Sequence, residues 1–164
     1  MKLFQLILLC FILGACGKML EEGDAKVSSH YVSAFTSSDP TFDNYKNDFE
    51  DNYYQETGLS INTSAININF VDSIEENSSF IAVCIIWGNR KDILVKTTYW
   101  DAVGEDTKQS IIHHELGHCA LGKGHNNEID EKTGRPLSLM HSNIVSGTMF
   151  MSFFEEYIQE LFNQ

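Results

Sequence analysis

Basic residues are scarce in this chain. Lys and Arg number 11 against 23 Asp and Glu, the formal net charge is −12, and the cations never gather into a cluster. Nucleic-acid affinity rests largely on Lys and Arg neutralising phosphates, which excludes that class of partner; acidity itself speaks to solubility rather than to substrate. Long apolar runs are also missing. The one largely apolar stretch, residues 3–13, is too short to span a bilayer comfortably, and no stop-transfer pattern follows it. Cysteine is limited to Cys10, Cys16, Cys84 and Cys119, and no repeats or low-complexity tracts occur. What remains is a 164-residue chain, 43% hydrophobic and 21% charged, which is the composition of one globular domain rather than of a disordered segment.

The first fifteen residues read as a signal peptide. Lys2 supplies the charged start, residues 3–13 the short apolar core, and Gly14-Ala15 the small residues before cleavage. Leu13-Gly14-Ala15-Cys16 resembles a bacterial lipobox, which implies lipidation of Cys16 and export to a membrane-anchored position; Gly17 and the nearby Glu21-Glu22 point to the outer membrane or cell surface. An ordinary signal peptide that happens to contain a cysteine is the alternative. Residues 16–39 then form a tether that leads into the fold around 28–35, and residues 40–164 form the domain. Of the remaining thiols, Cys84 and Cys119 could form one disulfide in an oxidising compartment or could be two buried small hydrophobes.

Asp39 and Pro40 suit a helix start and Gly58 a stop, with Phe42, Tyr45, Phe49 and Tyr53 recurring at helical spacing as a core-facing stripe. Residues 65–71 alternate Ile66, Ile68 and Phe70 with asparagines, as a strand with one wet face does. Residues 80–87 are continuously apolar and read as a central strand, Gly88-Asn89 as a turn, and 92–100 as the returning strand of a hairpin. Such an antiparallel strand could be fully paired or could accept an extended peptide. A helix starts near 105–107 with Ile112, Leu116 and Cys119 on its core face and Gly122 as its left-handed stop. Residues 126–138 are turn-rich, and 148–162 read as a last amphipathic helix. The class is α+β: a small mixed or antiparallel sheet with an N-terminal, a central and a C-terminal helix.

The central helix carries His114-Glu115-Leu116-Gly117-His118. Histidines four apart project from one helix face and can share one metal ion, while the glutamate between them reaches a water beside that ion. Gly122, His125 and the tetrapeptide Ser138-Leu139-Met140-His141 follow. Together these residues resemble the metzincin zinc peptidases, whose signature is His-Glu-x-x-His-x-x-Gly-x-x-His followed by a Met-turn. The resemblance implies a zincin-like fold, Zn²⁺ held by His114, His118 and His125, Glu115 as general base and acid in hydrolysis of a peptide or protein, and Met140 beneath the metal. Here the third histidine stands seven residues after His118 where the family has six; glycines 122 and 124 could absorb the extra residue by adopting positive φ. His141, Asp130 and, on a glutamate-zincin reading, Glu155 or Glu156 are the competing third ligands. Position 142 is Ser142 rather than the tyrosine some metzincins carry there, so Tyr157, Tyr99 and His141 stand as alternative transition-state donors. His113, about 100° from its neighbour on the helix, is expected to face solvent or to support the site from behind; His30 has no role. A zinc-binding lipoprotein without turnover and a coincidental, metal-free motif are the readings that compete with a peptidase. Oligomeric state is left open.

Overall fold

Residue types at its two ends bracket the first helical stretch. The Asp39 carboxylate accepts from the Thr41 amide (2.9 Å) and opens a 3-10 turn, Pro40–Phe42, which runs into α1, Asp43–Thr57. Gly58 ends α1 at φ 70°, a left-handed value that costs a glycine little. Phe42 and Phe49 are fully buried, and Tyr45 and Tyr53 pack against the same core. The computed structural model describes residues 36–74 and 79–163. The signal peptide, Cys16, His30 and the tether up to residue 35 lie outside the described residues.

Three strands form one mixed sheet: β1 (Ile66–Val71), β2 (Ala82–Trp87) and β3 (Arg90–Lys96), in the order β1-β3-β2. β3 runs parallel to β1 and antiparallel to β2, with Cys84 opposite Ile93 in the hairpin. The expected centre and edge are therefore exchanged. β2, the most apolar strand, is an edge, while the central strand β3 carries a buried Asp92. That aspartate is accommodated by partners: Arg90 Nε donates to it at 2.6 Å and Asn67 Nδ2 at 3.2 Å, which is what a buried carboxylate requires. The apolarity of β2 reflects burial on two faces. Cys84 belongs to the main core, whereas Val83 and Ile85 join Val71, Ile74 and Leu94 in a second, smaller cluster. Only its end is open, with Ile86 46% and Trp87 37% exposed.

The wet face expected of β1 is absent. Asn69 is buried and donates to Ser37 O, and Ser38 Oγ bridges Ile66 O and Ile68 N while Asp39 N donates to Ile68 O. Residues 37–39 thus cover the outer edge of β1, as exposed edges generally demand. The third strand also stops early, at Lys96, and residues Thr97–Trp100 turn into the short helix α2.

The helix α3, Glu105–Cys119, is the middle of the domain. Residues Ser110 to Gly117 are all buried, so both of its faces are covered rather than one. The helix expected over 148–162 is broken into α4 (Gly147–Ser152) and α5 (Phe154–Phe162) at Phe153, whose φ and ψ are −129° and 32°. The break lets Phe150 pack against His113 while Phe162 packs against Phe49 and Tyr53. A Cβ on Gly147 would stand 2.5 Å from the Thr107 amide nitrogen; the absent side chain is what lets α4 meet the first turn of α3. Five α-helices and a three-stranded mixed sheet place the described residues in the α+β class. Among them no helix is long and apolar enough to cross a membrane.

Candidate metal centre

His114 and His118 lie one turn apart on α3, and each is oriented by a main-chain carbonyl. His114 Nδ1 meets Leu139 O at 2.8 Å, and His118 Nδ1 meets Lys123 O at 2.6 Å. A carbonyl only accepts, so both rings carry their proton on Nδ1 and present a lone pair at Nε2. Those lone pairs converge: His118 Nε2 is 3.1 Å from His114 Nε2 and 3.2 Å from His125 Nε2. Imidazole nitrogens about 2.0–2.1 Å from a tetrahedral ion would sit about 3.3 Å apart. The three Nε2 atoms lie close enough together that these histidines could hold one metal ion. They also resist protonation. Burial, with the neighbouring His118 ring adding to it, pulls His114 down to about 3, and burial is the leading cause of the lowered values of His118 and His125. The nitrogens are thus free as ligands at neutral pH.

The seven-residue step from His118 to His125 turns at one glycine. Gly122 takes φ 68°, its amide donates to His118 O, and Lys123 N donates to Gly117 O, closing the helix end. Gly124 is not among the glycines with positive φ. The same turn delivers Lys123 O to His118, so the helix stop and the ligand orientation are one structure.

The segment after the turn-rich loop supplies the rest. Ser138 is fully buried; its hydroxyl accepts from Met140 N at 2.9 Å and donates to Glu160 Oε2 at 2.9 Å. This fixes Leu139 O over His114, and Met140 O accepts from Asn126 N, next to His125. Met140 is buried against Gly117, where an added Cβ would collide with Met140 Sδ. A glycine inside the pentapeptide is therefore needed for the methionine to lie against the helix. Neither the two carbonyls nor the roles of Ser138 and Gly117 were read from the sequence; a small residue between the ligands and a serine two before the methionine were the available signals.

Glu115 is 4% exposed. Burial pushes its carboxyl up to about 8, with the Cys84 backbone acting more weakly in the other direction. Oε2 is the one buried side-chain polar atom without a partner among the described residues. A buried carboxyl with an unpartnered oxygen, on the helix that bears two of the histidines, is arranged to take up and release a proton. Cys84 and Cys119 are joined in a disulfide, with Cα atoms 5.7 Å apart, linking β2 to the end of α3.

The other sequence candidates stand apart from the cluster. Asp130 caps its own turn through Lys132 N and Thr133 N, Glu156 pairs with Arg135, and Glu155 lies exposed in the first turn of α5. Tyr157 donates its hydroxyl to Pro136 O, and Tyr99 belongs to α2. His141 is close enough to act electrostatically on His114 and His125, and its Nδ1 accepts from Asn143 N.

Of the expectations for His113 the solvent-facing one is a correction, while its absence from the metal cluster is as expected. It is 0% exposed, packed on Phe49 and Phe150, with Nδ1 against Gln109 O and Nε2 against Asn52 Nδ2. Burial holds it down at about 4. An unfolded chain binds this proton near 6.5 and the folded one does not, so the contribution is complete above about pH 6.5 and is lost as pH falls toward 4. By pH 5 the loss is about 2 kcal/mol. Thermal melts of the chelator-treated protein are expected to drop by several degrees between pH 7 and pH 5, and less in His113→Phe.

Comparison with protein-family models, curated proteins and solved structures finds no match to this chain.

Proposed function

We propose that the chain is a zinc metallopeptidase of the metzincin type, exported and carried on a lipid anchor at Cys16. The observation that carries the reading is the convergence of three histidine Nε2 atoms on a helix that also bears a buried glutamate with an unpartnered oxygen. Three neutral imidazoles suit zinc and leave a fourth coordination position open. When bound, the ion supplies a Lewis acid that acidifies water and polarises a carbonyl. Glu115 does the proton work. Beside a bound divalent cation its carboxyl would titrate below about 8, and Glu115 would accept a proton from water and return it to the departing amine. Leu139 O and Lys123 O keep the two helix rings in the ligating tautomer, and buried Met140 packs against Gly117, between those two histidines in sequence. The outer edge of β2 has no strand partner among the described residues, which supports an extended peptide as the substrate class.

A purely structural zinc site needs no buried, unpartnered carboxylate beside it. The test is metal analysis joined to a peptide-library digest of the purified protein. One zinc per chain, with cleavage abolished by chelator and restored by zinc, is the expected result. Zinc bound at unit stoichiometry without any cleavage would make the protein a binding module, and no bound metal would make the motif a coincidence.

A further inference from the structure

The carbonyls that orient His114 and His118 belong to separate segments, and one residue of α5 holds both segments. Glu160 Oε2 accepts from the Ser138 hydroxyl at 2.9 Å, and Glu160 O accepts from Lys123 Nζ at 3.3 Å. Ser138 Oγ in turn accepts from Met140 N at 2.9 Å. The Leu139 peptide is thereby gripped from its two sides, and Leu139 O stays on His114 Nδ1 at 2.8 Å. Lys123 presents its own carbonyl to His118 Nδ1 at 2.6 Å. The main-chain arm has a local reason. Glu160 stands in the last turn of α5, where carbonyls lack intrahelical partners and a lysine ammonium is a fitting donor. The seat of α5 is apolar and does not depend on these polar contacts. Tyr157, Ile158, Leu161 and Phe162 are buried, Leu161 Cδ1 lies 3.2 Å from where a Gly117 Cβ would stand, and Phe162 packs on Phe49 and Tyr53. Glu160 is half-buried among them, on a helix fixed by its neighbours.

We propose that Glu160 is a positioning residue of the metal centre: from α5 it ties down both segments whose carbonyls set the His114 and His118 tautomers. The inference rests on the metal-binding part of the zinc reading for its functional meaning, and on these hydrogen bonds alone for its geometry. Without the carboxylate, Ser138 loses its acceptor and the Leu139 peptide is free to shift. The His114 ring can then move its proton from Nδ1 to Nε2, and a ring protonated there has no lone pair to offer a metal. The effect falls on zinc affinity. The arm to Lys123 uses the main chain of Glu160 and survives replacement of its side chain, so it is released by Lys123→Met instead, which keeps the apolar stem.

The experiment compares the full protein with Glu160→Ala, Glu160→Gln and Lys123→Met. Two readouts are taken: zinc affinity by competition with a chelator, and the tautomer of each histidine ring by ¹H–¹⁵N NMR of the metal-free protein. Glu160→Ala is expected to bind zinc about tenfold more weakly, the low end of the roughly 10–100-fold that loss of a ligand's orienting partner costs, and to show His114 as a mixture of tautomers. Glu160→Gln, whose amide oxygen still accepts from Ser138, is expected to return to about the parent affinity with His114 held on Nδ1–H. Lys123→Met is expected to give the mixture at His118. If Glu160→Ala does not fold, Glu160→Met, which keeps the stem and lacks the acceptor, takes its place. Parent-like affinity or a single His114 tautomer without the carboxylate, no recovery in Glu160→Gln, or an unchanged His118 ring in Lys123→Met overturns the proposal. A parent that binds no zinc counts against the metal reading alone, since the ring tautomers of the metal-free protein still decide whether Glu160 holds the two histidines.

Discussion

Replacing Glu115 with alanine is expected to leave one zinc bound per chain and to lower peptide cleavage by about 10²–10⁴-fold, the range spanned by general acid–base catalysis. The three ligand nitrogens are oriented by Leu139 O, Lys123 O and the loop that carries His125, and none of these contacts passes through the glutamate. Metal binding and turnover should therefore separate. The substitution also removes an orphaned buried oxygen. Relief of that desolvation, about 1–3 kcal/mol, offsets the cost of the small cavity left behind, so the melting temperature should move little. Glu115→Gln is the closer test of the proton: it keeps the volume, yet has no basic oxygen, and it should be as inactive as alanine. Metal content is read by elemental analysis and turnover by the digest. If either variant cleaved at the parent rate, the role assigned to Glu115 would be wrong.

The parts of the fold that were legible in the sequence are those set by local chemistry. Asp39, Pro40 and Gly58 frame a helix through capping and backbone conformation, which are properties of the residues themselves. The hairpin at Gly88, with φ 56°, is of the same kind. Sheet order was not legible, because strand apolarity reports burial and not position. β2 is apolar through contact with α3 on one face and a small cluster on the other, while the central strand conceals its buried Asp92 behind Arg90 and Asn67. The same limit applied to His113. Helical spacing turns it away from His114, and only the tertiary arrangement of α1 and α4 determines that Asn52, Phe49 and Phe150 wait there instead of water. At the centre, the three histidines that come together could be named from their spacing. The carbonyls that orient them could not, since every residue has one and sequence is silent on where it points.

Loss of the third ligand has the second large expected effect. His125→Ala should weaken zinc affinity by more than about 100-fold, because removal of even an outer partner of a ligand costs 10–100-fold and here a ligand itself is lost. The fold should survive. His125 is exposed, it lies beyond the helix stop built by Gly122 and Lys123, and Asn126, not His125, makes the main-chain bond to Met140. His118→Ala is a poorer experiment, since it also strips Lys123 O of its donor and loosens the turn that places His125. His141→Ala is the matched control. His141 stands next to the cluster and its ring hydrogen-bonds the main chain of Asn143, so zinc affinity should be kept. Competition with a chromophoric chelator measures all three proteins under one condition. Parent-like affinity in His125→Ala combined with loss in His141→Ala would transfer the third position to His141 and end the metzincin reading. The opposite result ties the seven-residue spacing after His118 to a working site, with Gly122 the hinge that makes the longer segment close on the metal.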